Sequence, residues 1–339
     1  MRKPPFLTAL LLIVACNTST AITASHSSPA PPDLIAGPDL TPTFAAFVPQ
    51  EERWGIYRLD ISSQELELIF SSQTKFGFLR LNNAGDRFVF SMKVGGDANS
   101  QEEIFSVGIN GNNLLRITDN NLWDLYPAWS PDDSRISFLS QRNGSLGIYV
   151  MDADGNNPME LFDSDSHEAD IDWAGNYIAF TKDSRIWIMK SDASDVRPLS
   201  DPPRPGVWGS ANLPFGDYDP RISPDGSRVF FERLLRDESP HGNYDLFMID
   251  LKSSKETRLT YSGYAQGLAS WSHSGEQLVY IVGAIDQDGK YDMYLMDADG
   301  TNNRNITPDY FPQQFLCHWA VFSRDDSALY FIGEWSIGE

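Results

Sequence analysis

Six times along this chain the same short pattern returns: an aromatic or aliphatic anchor, a turn of Pro, Asp, Ser and Gly, a β-strand, then a second strand that ends in Asp. The clearest copy places Trp129 before Ser130-Pro131-Asp132-Asp133, follows it with Ile136-Ser137-Phe138-Leu139, and closes on Ile148-Tyr149-Val150-Met151-Asp152-Ala153-Asp154-Gly155. The anchors align at Leu81, Trp129, Trp173, Ile222, Trp271 and Phe322, with successive gaps of 48, 44, 49, 49 and 51 residues. A period in the forties that holds several short strands is the signature of a β-propeller, one blade per repeat. The fold class expected is therefore all-β: six blades of four antiparallel strands.

Within each repeat the innermost strand ends at the anchor. Second strands read at residues 88–92, 136–140, 178–182, 229–233, 278–282 and 329–333, and third strands at 104–109, 148–152, 186–190, 246–250 and 293–297. Ile, Val, Phe, Tyr and Trp run between Asp, Gly, Asn and Ser turns, which is strand composition. The last repeat lacks its third and fourth strands. Residues 56–60 and 66–70 near the other end of the chain are of those two types, so the sixth blade is expected to close with strands from both ends and to hide its edges. Residues 44–48 compete with 329–333 for the second slot of that blade.

Trp129-Ser130-Pro131-Asp132-Asp133, Ile222-Ser223-Pro224-Asp225-Gly226 and the two copies of Asp-Ala-Asp-Gly, at 152–155 and 297–300, resemble the WD40-like repeats of the TolB-like propeller family. The resemblance covers roughly residues 50–335, and the repeats around Leu81 and Trp173 are degenerate. It implies the six-bladed fold and a propeller that works as a protein-interaction platform. The motif describes turns and core residues, so it is specific for fold and poor for function. The family's namesake carries a separate N-terminal α/β domain, for which this sequence leaves no stretch.

Met1-Arg2-Lys3 is a basic start, and residues 6–15 are an apolar run too short to span a bilayer. The run ends in Ile13-Val14-Ala15-Cys16, which reads as a bacterial lipobox, with an ordinary secretory signal and a chance cysteine as the alternative. The expected organisation is a signal peptide at 1–15, a lipidated Cys16 with a Ser/Thr/Pro-rich tether through residue 43, and the propeller from 44 to 339. Two or more acyl chains on Cys16 hold a protein stably where one is marginal. The tether composition cannot bury enough apolar surface to fold.

Formal net charge is −21, and −23 once Arg2 and Lys3 are removed with the signal. So acidic a surface argues against nucleic acid and anionic head groups as partners, though acidity also simply keeps an exported protein soluble. The one cysteine besides Cys16, Cys317, reads as a small buried hydrophobe.

No G-x-S-x-G nucleophile elbow occurs, which separates this chain from peptidases that pair a similar propeller with a catalytic α/β domain. His167, His241, His273 and His318 fall in different repeats with no ligand spacing, and His273 occupies the turn slot held elsewhere by Pro131 and Pro224. Alternating carboxylates at Asp152/Asp154, Asp297/Asp299 and Asp286/Asp288 resemble a calcium loop. They lack its third acidic ligand and its closing Glu, and Asp-Gly is the preferred hairpin turn. No metal, no cofactor and no enzyme activity are expected.

In a propeller the connections from second to third strand, and from each fourth strand to the next blade, share one face. Here those connections are long and variable, the longest being residues 201–219, and loops of that kind carry function. They collect aromatics outside the strand pattern: Trp123, Tyr126, Trp208, Phe215, Tyr218, Tyr264, Tyr310 and Phe311. These eight are the candidate binding face. The expected function is a lipid-anchored, extracytoplasmic, monomeric module that binds a protein or cell-envelope partner and is not catalytic. A carbohydrate- or peptide-binding module, with Trp208 and Trp123 as stacking platforms, is the alternative, and a propeller lyase or hydrolase the third.

Overall fold

The computed structural model describes residues 53–95, 101–166, 168–205, 215–236, 243–261, 264–284 and 290–335. Among them are twenty-four strands and no helix, sorted into six four-stranded antiparallel sheets. The chain enters with β1 (Trp54–Asp60) and β2 (Leu66–Ser72). Blade one follows as β3 (Phe76–Leu81), β4 (Arg87–Val94), β5 (Gln101–Gly108) and β6 (Leu115–Arg116). Blade two is β7 (Asp124–Trp129), β8 (Arg135–Ser140), β9 (Gly147–Asp152) and β10 (Met159–Phe162). Blade three is β11 (Glu168–Ala174), β12 (Tyr177–Lys182), β13 (Arg185–Lys190) and β14 (Arg197–Pro198). Blade four is β15 (Asp217–Ile222), β16 (Arg228–Arg236), β17 (Asn243–Asp250) and β18 (Glu256–Arg258). Blade five is β19 (Ala265–Trp271), β20 (Gln277–Ala284), β21 (Lys290–Asp297) and β22 (Arg304–Asn305).

Blade six joins the two ends of the chain. β23 (Phe315–Phe322) and β24 (Ala328–Trp335) supply its inner half, and β1 and β2 its outer half, in the order β2-β1-β24-β23. β24 fills the second slot and pairs with β1 from Trp54↔Glu334 to Asp60↔Ala328. Residues 44–48, the competing segment, lie outside the described residues. The inner strand β23 packs against β3, which closes the ring.

Strand periodicity explains how the blades hold together. Successive side chains point to opposite faces, and each blade is covered on both faces by its neighbours, so its strands read as unbroken apolar runs. In β16, Val229 and Phe231 face blade three while Phe230 faces blade five. Each of the six junctions has its own apolar cluster, and each takes one repeat anchor: Leu81, Trp129, Trp173, Ile222, Trp271 and Phe322 in turn. Cys317 is buried and unpaired in the junction of blades five and six.

The recurrent turns are held by their own side chains. Asp132 accepts from Ser130 Oγ at 2.7 Å and from Ser134 Oγ at 2.7 Å, and Asp225 and Asp325 make the same contacts in their turns. Those hydrogen bonds, led by the one from Ser130, hold the Asp132 carboxyl down at about 2. Two turns also latch onto the preceding blade. Asp133 accepts Asn83 N and Ala84 N, each at 2.8 Å, and Asp326 accepts His273 N at 2.7 Å and Ser274 N at 2.9 Å. Where the upstream turn has Pro131 or Pro224, which have no N–H to give, the downstream position is Gly175 or Gly275.

The Asp-Ala-Asp-Gly segments are hairpin turns. Asp152 and Asp154 spend their oxygens on Asn157 Nδ2 and Asn156 N, and Asp297 and Asp299 do the same for Asn302 and Thr301. The third copy, 286–289, lies outside the described residues.

Candidate functional site

Every inner strand carries a β-bulge, and every bulge places one non-glycine residue in the left-handed region. These are Phe78, Tyr126, Asp170, Asp219, Leu268 and Trp319, with φ of 59°, 54°, 50°, 50°, 54° and 44°. Such backbone costs roughly 1–2 kcal/mol per residue and persists where the surroundings enforce it. In blades two, four and five the neighbouring blade does so, since the freed N–H of the bulge finds a side-chain acceptor across the junction. Tyr126 N donates to Ser91 Oγ at 3.2 Å, Asp219 N to Asp170 Oδ2 at 3.3 Å, and Leu268 N to the Glu232 carboxylate.

The six bulged residues form a ring that narrows the central channel, and its two halves differ in chemistry. Phe78 lies 3.7 Å from Tyr126 and 5.2 Å from Trp319, ring centre to ring centre, and Leu268 packs into the same apolar cluster. The other half is charged. Tyr126 bonds to Asp170, and Asp219 binds Arg221 Nη2 at 2.6 Å, with Arg80 and Asp172 one level deeper. Burial, then the Asp219 charge, pushes the Asp170 carboxyl up to about 6, and the same two causes move Glu232 well above the usual carboxylate range. Burial, then Arg221, lowers the Arg80 guanidinium to about 10.

At the loop end of the channel, two residues before the bulge, blades two, three and four each bury a carboxylate. Asp124 is held by Arg142 Nη2 at 2.9 Å, and Asp217 takes a fork from Arg233 at 2.6 and 2.9 Å. Glu168 has only Ser164 on one oxygen, and its Oε2 has no partner among the described residues. Burial therefore raises the Glu168 carboxyl to about 7. A raised carboxyl means the folded state holds the extra proton between about pH 4.5 and 7, so this group's contribution to stability falls as pH rises through that window. Glu168→Gln, neutral at every pH, is expected to gain about 2 kcal/mol over wild type near pH 8 and nothing near pH 4. Denaturant midpoints at the two pH values check this, and an equal difference at both would refute it.

Of the eight aromatics expected on the binding face, the structure takes three inside. Tyr126 is 9% exposed in the channel ring, Tyr218 is 3% exposed and donates to Ser184 Oγ, and Phe311 is 4% exposed between Phe315 and Phe331. Each abuts an inner strand, where the next blade covers it. Phe215 is half-buried under Arg204 at 4.4 Å, and Trp123 is half-buried beside a polar groove. Tyr264 is 37% exposed. Tyr310 is 47% exposed on the flank between blades five and six, its hydroxyl donating to Gln64 O at 2.6 Å. Trp208 lies outside the described residues, as do Cys16, His167 and His241. Sequence reading missed Tyr261, 75% exposed with Arg258 stacked at 4.3 Å. It also missed the channel ring, although every member lies three residues before its anchor. Among the described residues no group of three or more His, Cys, Asp or Glu is arranged to hold a metal ion, and no helix is long and apolar enough to cross a membrane.

The fold and channel define a class: a six-bladed, four-stranded antiparallel propeller closed by strands from both ends of the chain. A family model described as the TolB beta propeller domain matches residues 40–204. A TolB homolog from Chlorobium luteolum is 25% identical over 174 residues, covering 49% of this chain and 36% of that protein. The chain thus matches about a third of that relative's length. A solved putative TolB from Agrobacterium tumefaciens superposes with a TM-score of 0.65 at 17% identity, over 84% of this chain and 99% of that one. An oligogalacturonate lyase solved with manganese superposes with a TM-score of 0.52 at 12% identity, over 83% of each chain. Likeness at such identities speaks for the fold alone. Over residues 40–204 the chain is similar to the TolB-like β-propeller family.

Proposed function

We propose that this protein is a non-catalytic protein-binding module of the bacterial cell envelope. It is exported by the signal at 1–15, anchored through lipid on Cys16, and held off the membrane by the tether that runs through residue 43. It works as a monomer and takes neither cofactor nor nucleic acid. Similarity to the TolB-like family supports the envelope setting, and the lipobox supports the anchor. The fold also carries a lyase, so the non-catalytic part of the reading rests on the sequence, which has no nucleophile elbow and scattered histidines.

The observation that carries the binding reading is where exposed apolar surface falls. Among the described residues the exposed large hydrophobics are Leu114, Leu115, Met159, Tyr261, Tyr264 and Tyr310. Tyr261 and Tyr264 sit in the connection that leads into blade five, and Tyr310 in the one that leads into blade six. Tyrosine gives contact area at low entropic cost and is enriched at interfaces. Trp208, in the longest connection, belongs to the same proposed face.

Crosslinking in cells followed by affinity purification of the membrane-extracted protein tests this reading. Mass spectrometry should find a diacylated Cys16 at the N-terminus and one dominant crosslinked protein. Tyr261→Ala with Tyr264→Ala should lower capture about tenfold or more, with the melting temperature within a few degrees of wild type. Undiminished capture by that double variant removes the face from the proposal, and a mature N-terminus beyond Cys16 removes the anchor.

A further inference from the structure

The long-loop side also holds a groove of about 690 Å³ at the junction of blades one and two, lined by Gln101, Arg116, Asp119, Asn120, Asn121 and Trp123 with the end of β4. That volume is in the range of small-ligand sites. Its chemistry is unusual for a surface cleft: one indole among planar amides, with the charges already spent. Trp123 packs part of its ring on the apolar cluster of blades two and three, and the rest lines the groove. Its indole N–H has no partner among the described residues.

Arg116 is not available to a ligand as a free cation. Its Nη2 binds Glu103 Oε1 at 3.3 Å and Asp119 Oδ1 at 2.8 Å, and its Nε donates to Thr118 O at 3.0 Å. Two carboxylates against one guanidinium leave the local charge at −1, which repels an anionic ligand. Asn120 is also committed, with Nδ2 on Asp124 and Oδ1 accepting Leu122 N. Gln101 Nε2 donates to Asn121 O at 2.9 Å, which fixes that amide and leaves its Oε1 to the groove. The exposed Asn121 side chain engages no described residue.

We propose that this groove is a binding subsite for a neutral pyranose unit of a glycan. The apolar C–H face of the sugar would lie on Trp123, and its hydroxyls would bond to Gln101 Oε1, the Asn121 amide and the outer oxygen of Asp119. An indole supplies the flat apolar contact that a sugar face needs, and amides and carboxylates exchange donor and acceptor with hydroxyls. The site is separate from the exposed tyrosines, so it stands or falls independently of the protein partner proposed above.

The test is titration of detergent-solubilised full-length protein with cellotetraose and with tetra-N-acetylchitotetraose, followed by calorimetry and tryptophan fluorescence. Wild type should bind at least one of the two. Trp123→Ala should weaken binding about tenfold or more, Trp123→Phe by only about threefold, and Asn121→Ala by about threefold. If Trp123→Ala lowers the melting temperature sharply, Asn121→Ala and Gln101→Ala, both outside the packed core, carry the test. No binding of either sugar at millimolar concentration overturns the proposal. So does binding unchanged in Asn121→Ala and Gln101→Ala, or capture of an uncharged proline-rich peptide in preference to both sugars.

Discussion

Gly111→Ala is expected to cost about 3 kcal/mol or more, and to lower the melting temperature by roughly 6–10 °C. Gly111 sits in the turn between β5 and β6 at φ +77°, and a Cβ built there would lie 1.9 Å from the carbonyl oxygen of Ile69 on β2. That oxygen is backbone in a paired strand of blade six, so blade one would have to move away from its neighbour. Gly144 provides the comparison, because it has φ +86° with nothing within 4 Å of the same added carbon. Gly144→Ala meets only the left-handed strain and should cost about 1 kcal/mol. Paired melts of the two variants isolate the blade-to-blade contact. Equal losses would mean that the turn does not set the seam between blades six and one.

The second large effect concerns the buried ion cluster of blade four. Arg233 gives Nε and Nη2 to Asp217 and gives Nη1 and Nη2 to Glu256 at 2.6 and 2.9 Å. Asp217 is fully buried, and burial pushes its carboxyl up even with the guanidinium beside it. Replacing Arg233 with Met leaves that carboxylate uncompensated, at an expected loss of about 3–5 kcal/mol. Adding Asp217→Asn should restore more than half of the loss, because the second change removes the stranded charge. The single-variant penalty should also shrink near about pH 4.5, where the folded protein can hold a proton on Asp217 that the unfolded chain has released. Denaturant unfolding of the two variants at both pH values measures this, and a pH-independent penalty would point to lost packing over Phe247 instead.

Neither residue stood out by type. Glycine at 111 is one of 25, and Arg233 closes the segment 229–233 that already reads as a strand. Both become critical through contacts between distant parts of the chain. The same holds for the expected binding face. Tyr126, Tyr218 and Tyr264 have similar surroundings in the sequence, since each lies at or just before an inner strand. Two are buried and one is exposed, according to whether the next blade lies over them. Tyr261 is the most exposed aromatic of the described residues and is followed within three residues by another tyrosine, so it was visible only as one of a pair.

What the sequence determined by itself is the part of the fold that is local. Alternation of apolar residues, Asp-Gly turns and a period in the forties set the number of blades, the strands in each and the chain ends that share the sixth. Those signals depend on residues within a few positions of one another, so no tertiary contact is needed to read them. The tertiary structure alone decided the choice of β24 for the closing slot, the latches of Asp133 and Asp326, and the ring of left-handed residues from Phe78 to Trp319. The ring has no common residue type because its conformation is imposed from outside. A bulge frees an N–H, and in blades two, four and five that N–H is satisfied by a side chain of the preceding blade, some thirty-five to fifty residues away in the chain.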